Sequence, residues 1–288
     1  MKIINVLGML GLMMTVLLPG QASGKWTEEP KGQVELVYVE WSSEVVSTNV
    51  IKVVLEMAGY AVEITPVSAA AMWQAVASHD ADGLVAAWLS TTHEHYLQAV
   101  KGKVEDLGPN LEGTRIGLVV PDYVDIHSVE ELNAHLEQFD KRIIGIDPGA
   151  GLMAKTEQAI KEYALNKFKL VEGSGATMAA ALKDAIRQKS WIVVTGWTPH
   201  WKFSRWKLKY LEDPKGVYGG KEYIHTIVRI GLKEDMPEVY HILDNFHWTP
   251  ADMEKIMVWN EEKGADPYDN AQKWVNENPE KVKAWLAH

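Results

Sequence analysis

Three tryptophans stand where a small ligand would meet them. They lie in Val39-Glu40-Trp41-Ser42-Ser43-Glu44, Ala86-Ala87-Trp88-Leu89-Ser90-Thr91-Thr92-His93 and Thr195-Gly196-Trp197-Thr198-Pro199-His200-Trp201. Each run follows an apolar, strand-like stretch. In open α/β sheets, ligands sit outside the carboxyl ends of the strands. An indole face carries negative π density and attracts a cation within about 6 Å of the ring. Facing indoles suit a quaternary ammonium, which is weakly hydrated and has no N–H to donate. A fourth strand end, Asp147-Pro148-Gly149-Ala150-Gly151-Leu152, is a glycine-rich turn into a helix. Free backbone N–H groups at such a helix start favour an anion. A cage for a methylated cation beside a cradle for an anion describes a zwitterion, and the simplest is a betaine. Any one of these rings is explained as packing; three at matching places point to a cage.

Other chemistry is thin. Gly173-Ser174-Gly175 is not a Gly-x-Ser-x-Gly elbow, and the sequence has no Gly-x-x-x-x-Gly-Lys-Ser/Thr run. His93-Glu94-His95 is not His-Glu-x-x-His. Two residues apart on a helix, its rings diverge and do not share a metal. The expectation is no catalytic residue, no cofactor and no metal. His93 sits beside the presumed cleft and suits a polar contact with the ligand. His200 reads as a structural histidine. Glu40 and Asp147 flank the site. Trp73, Trp248, Trp259, Trp274 and Trp285 read as packing, and Trp201 and Trp206 as rim residues.

Composition narrows the classes further. The 288 residues include no cysteine, so a disulfide scaffold, a thiol enzyme and a Cys-ligated metal site are excluded. A hydrophobic content of 47% and a charged content of 24% are globular values. The formal net charge is −10, against the basic surface that nucleic acid requires. There are 12 Trp and only 4 Phe, so aromatic area is supplied as indole.

The elements that must position these residues alternate. Strands are expected over 34–40, 60–67 and 83–89, with helices over 48–58, 69–78 and from about 94. The pattern then restarts. Strands follow at 115–120, 142–147, 167–172 and 191–196, with helices at 128–139, 152–163 and 177–188; the first carries the capping-box pattern Ser128-x-x-Glu131. A strand at 223–230 and a helical tail from about 236 complete the chain. The class is α/β, with two lobes, each a mainly parallel sheet flanked by helices. Hinges are expected at 108–113 and 212–220, both rich in Gly and Pro. That gives a first lobe of 25–112 plus 221–288 and a second of 113–220. Residues 1–22 read as a signal peptide: Lys2, an apolar run over 3–18, then Pro19-Gly20-Gln21-Ala22 for cleavage. The mature protein is expected in the periplasm.

At these residues the sequence resembles the substrate-binding proteins of the glycine betaine/proline betaine ABC importer family. The resemblance runs from about Val34 to Leu286. It is carried by Ser43–Glu56, Trp88–His93, Gly117–Val124, Ile144–Met153, Val194–Trp201, Leu211–Gly216 and His225–Ile227. It implies the type II periplasmic-binding-protein clamshell, with Trp41, Trp88 and Trp197 caging a trimethylammonium. It also implies that the Gly151-Leu152 turn offers its N–H groups to the carboxylate. His93 matches a family position that helps hold bulkier or sulfur-containing betaines. The chain departs from the family pattern beside the cage, at Glu40, Ser42 and Ser90. The implied partners are a betaine ligand and an inner-membrane permease with its ATPase; a monomer is expected, and no nucleic acid. Choline, carnitine and dimethylsulfoniopropionate are the alternative ligands. An osmotic sensor and an exported enzyme on methylated amines are the alternative classes.

Overall fold

The computed structural model describes residues 29–287. The expected signal peptide lies outside them. The chain opens with β1 (Gln33–Tyr38), α1 (Ser42–Met57), β2 (Ala61–Pro66), α2 (Ala69–Ala77), β3 (Gly83–Leu89) and a short α3 (Glu94–Ala99). All seven residues of β3 are buried, as its unbroken apolar sequence requires of a strand covered on both faces. α1 starts six residues earlier than its apolar periodicity suggests. Trp41 is its N-cap, and Glu44 in the first turn suits the positive end of the helix dipole.

β4 (Val104–Pro121) follows, then a 3₁₀ turn (Val129–His135) with the expected capping box between Ser128 and Glu131. Next come β5 (Arg142–Ile144), α4 (Gly151–Glu162), β6 (Lys169–Val171), α5 (Gly175–Gln188), β7 (Val194–Thr198), α6 (Trp201–Arg205) and β8 (Leu208–Tyr210). β9 (Glu222–Arg229) leads into the helical tail: α7 (Leu232–Asp235), α8 (Pro237–Asn245), α9 (Pro250–Asn260), α10 (Pro267–Glu277) and α11 (Pro279–Trp285). α9 and α10 pack on α1. Among the described residues no helix is long and apolar enough to cross a membrane.

The strand order is β2-β1-β3-β9-β4-β7-β5-β6, with β8 on β4. β2-β1-β3 on one side and β6-β5-β7 on the other are parallel. The antiparallel pairings come from the strands in the middle, so each half is mixed rather than purely parallel. The β2-β1-β3-β9 side with its helices is the first lobe, and the β7-β5-β6 side the second. β4 belongs to both. Its first part, 104–114, pairs with β9, and 115–121 pairs with β7 and β8. The Gly-Pro stretch at 108–113, expected as a hinge, is built as strand. Its breakers surface as register shifts between Asp106 and Pro109, Pro109 and Leu111, and Glu112 and Thr114.

Candidate ligand-binding site

Trp41 reaches the site from the start of α1, Trp88 from β3 and Trp197 from β7. His93 is the residue before α3, and Gly151 and Leu152 open α4. These six residues line one cavity between the lobes. The three indoles are 7%, 3% and 4% exposed, so the rings are sealed from bulk water.

Each indole N–H is already committed. Trp41 Nε1 donates to Asp147 Oδ2 at 2.9 Å, across the lobes. Trp88 Nε1 donates to Glu44 Oε1 at 2.6 Å. Trp197 Nε1 donates to Ser43 Oγ at 3.2 Å, again across the lobes, and Ser43 Oγ donates on to Glu44 Oε2 at 2.5 Å. What the rings have left for a ligand is their faces. A third bond between lobes runs from Tyr96 Oη to the Gly149 carbonyl at 2.5 Å. Lys202, fully buried, lies with Nζ 4.2 Å from the Trp197 ring centre. It is not among the residues lining the cavity. Burial pushes its ammonium well below the usual lysine value.

The anion side has its own logic. No side chain caps α4, whereas α5 closes its N-terminus with the Ser174–Thr177 capping box. The first-turn N–H groups of Gly151 and Leu152 are thus left at the cavity wall. Gly151 is required by closeness. A Cβ there would lie 2.8 Å from the Thr92 carbonyl carbon and nearer still to its oxygen.

His93 is fully buried, and burial pushes its pKa down to about 3. Its Nδ1 accepts the Trp88 backbone N–H at 3.2 Å, which leaves the proton on Nε2. Nε2 is buried and has no partner among the described residues. His93 is therefore a neutral donor at the cavity. Its loop is held by buried Glu222, which accepts from Thr91 N at 2.7 Å, Thr92 Oγ1 at 2.6 Å and Thr92 N.

His95 leans on Tyr96, with ring centres 3.9 Å apart, and His93 meets the same ring at 5.7 Å. No group of three metal-ligating side chains occurs among the described residues. His200 Nδ1 accepts the Lys202 backbone N–H at 3.1 Å, which makes it the cap of α6. Trp73 is buried edge-on to His93 at 6.1 Å, and Trp274 stacks on Trp285 in the tail. Ser43, Glu44 and Glu222 are site residues that sequence reading missed. Glu44 following Ser43 on one helical turn, beside a candidate cage Trp, was the available signal for the first two. Nothing local marks Glu222, 131 residues from Thr91.

The family model described as the substrate-binding domain of ABC-type glycine betaine transport systems matches residues 32–277. The chain belongs to that family. It is a family of binding domains that serve ABC transporters, not of enzymes. A glycine betaine/carnitine transport binding protein, GbuC, of Listeria monocytogenes is 51% identical over 151 residues, 52% of this chain. The matched stretch spans about half of GbuC's length, 50%. Lactococcal OpuAC, closed and complexed with glycine betaine, is 44% identical with a TM-score of 0.85, over 89% of this chain and 100% of that one. An ABC-transporter choline-binding protein in complex with choline is 27% identical with a TM-score of 0.83, over 88% and 91% of the two chains. These likenesses make the fold that of a type II periplasmic binding protein, a two-lobed clamshell.

Proposed function

We propose that this chain is the extracytoplasmic solute-binding component of an ABC importer and that it binds glycine betaine or a close relative. The observation that carries the reading is one cavity lined both by three indoles and by unclaimed donors. Trp41, Trp88 and Trp197 surround the trimethylammonium. The N–H groups of Gly151 and Leu152 and His93 Nε2 hold the carboxylate. Each ring contributes on the order of 0.5–2 kcal/mol in a water-free cage. The ligand bridges the lobes, stabilises the closed form and is handed to a permease driven by an ATPase. The lobes are assigned as 25–112 plus 221–288 and 113–220, with crossings inside β4 and between β8 and β9. Residues 1–22 are assigned as an export signal that delivers the protein to the periplasm.

The test is titration of the purified chain with glycine betaine, followed by tryptophan fluorescence and calorimetry. Saturable micromolar-range binding supports the reading; no binding by folded protein overturns it. Choline is the second reading, favoured by the likeness to a choline-binding protein. Choline has a hydroxyl in place of the carboxylate and would leave part of the donor set at the α4 N-terminus and His93 Nε2 idle. Competition among betaine, choline, carnitine and dimethylsulfoniopropionate ranks them.

A further inference from the structure

We propose that Glu44 is the counter-ion of the cage, a buried carboxylate that makes the site select a cation over its uncharged isostere. The inference rests on the betaine reading and deepens it. Glu44 is 1% exposed and lines the same cavity as the three indoles. No ion pair among the described residues includes it. A buried charge without a partner of opposite sign is costly.

The hydrogen bonds around it nevertheless fit the ionised form. Oε1 receives the Trp88 indole N–H, which can only donate. Ser43 Oγ accepts the Trp197 indole N–H, and its own hydrogen goes to Oε2. A proton on Glu44 Oε2 would take that place and leave the Ser43 hydrogen to find another acceptor. Desolvation opposes ionisation and raises the Glu44 pKa, while the bonds from Ser43 and Trp88 lower it. The carboxylate is thus hydrogen-bonded but not charge-matched. A trimethylammonium in the cage supplies the missing charge, with no N–H bond needed. The same carboxylate fixes two cage rings, Trp88 directly and Trp197 through Ser43, one from each lobe. It therefore senses whether the second lobe has brought its ring into place.

The experiment uses the full chain and two ligands of one shape. Glycine betaine carries a quaternary nitrogen where 3,3-dimethylbutanoate carries a carbon; both carry the carboxylate. Dissociation constants are measured for wild type, Glu44→Gln and Glu44→Asp. The wild type is expected to prefer betaine by about 100-fold or more. In Glu44→Gln, which keeps a hydrogen-bonding group of the same size, the preference narrows by roughly 30-fold, through weaker betaine binding. Binding of the isostere falls less than that of betaine, because any disturbance of the Ser43 and Trp88 bonds weakens both ligands alike, whereas the lost charge weakens betaine alone. Glu44→Asp keeps the charge and is expected to keep the preference even if both affinities drop. If Glu44→Gln does not fold, the aspartate variant decides alone: a collapsed preference there overturns the proposal. An unchanged preference in Glu44→Gln, or a wild type indifferent between the two ligands, also overturns it. If the wild type binds betaine and only the variant pattern fails, the betaine reading stands without the counter-ion. If it binds neither ligand, the betaine reading itself falls.

Discussion

Replacing Gly151 with alanine adds one methyl group at a place where the lobes approach closely. The residue is the first of α4 and has an ordinary helical backbone, so the helix itself accepts alanine readily. The obstacle lies across the cleft. The new Cβ would stand 2.7 Å from Thr92 Cγ2 and 2.8 Å from the Thr92 carbonyl carbon, where 3.4 Å is ordinary contact. Thr92 does not yield easily, because Glu222 holds both its N–H and its hydroxyl. The lobes must therefore part by about 1 Å, given the steepness of the repulsive wall. The turn that retreats also carries Asp147 and Gly149, the acceptors for Trp41 at 2.9 Å and Tyr96 at 2.5 Å. Both bonds lengthen to or beyond the hydrogen-bonding limit. At about 1 kcal/mol net for each, closure loses about 2 kcal/mol, or roughly 30-fold in ligand affinity. Calorimetric titration with glycine betaine reads the affinity, and thermal unfolding without ligand reads the fold. Near wild-type unfolding with much weaker binding is expected. Wild-type affinity would refute the reasoning, because the close approach would then be no part of the closed form.

Trp41→Leu keeps an apolar side chain but removes one π face and the bond to Asp147; betaine affinity should fall about tenfold to hundredfold by titration. For His93, the unfolded chain takes a proton near 6.5 while the fold refuses it until about 3. Stability should therefore be indifferent to this group above pH 6.5 and fall as pH drops towards 3. One full proton corresponds to about 1.4 kcal/mol per pH unit. Denaturant unfolding from pH 4 to 6 should show a flatter slope in His93→Phe; His200 and His95, lowered by burial with the same sign, keep part of it. Glu222→Gln places an NH₂ among donors from Thr91 and Thr92, and should cost about 1.5–3 kcal/mol in denaturant unfolding and weaken betaine binding as well.

The cage candidates were legible because their signal is local. Indole is over-supplied relative to Phe, and each ring follows an apolar run that can only be a strand. The glycine-rich turn before α4 was legible for the same reason. What escaped depends on distance in the chain. Glu44 meets Trp88 across 44 residues, and Ser43 meets Trp197 across 154. No periodicity encodes such pairings. Lys202 also escaped, since a lysine reads as a surface residue until the packing of α6 buries it. The first part of β4 was missed because Gly108, Pro109 and Gly113 are turn formers by propensity. Pairing with β9 overrides them, and the register shifts record the compromise. α6 and β8, five and three residues long, are too short for a period to show.

A strand shared by two sheets has a mechanical consequence. A flexible loop between lobes would let them slide, tilt and rotate independently. β4 is laddered to β9 on one side of the crossing and to β7 and β8 on the other, so its ends cannot shear without breaking ladders. What remains easy is a bend or twist where the two ladders meet, at Thr114 and Arg115. Closure then has close to one degree of freedom, and the contacts of Trp41, Tyr96 and Trp197 across the cleft engage as a set. A small twist at that meeting point is carried through both ladders to the cavity walls.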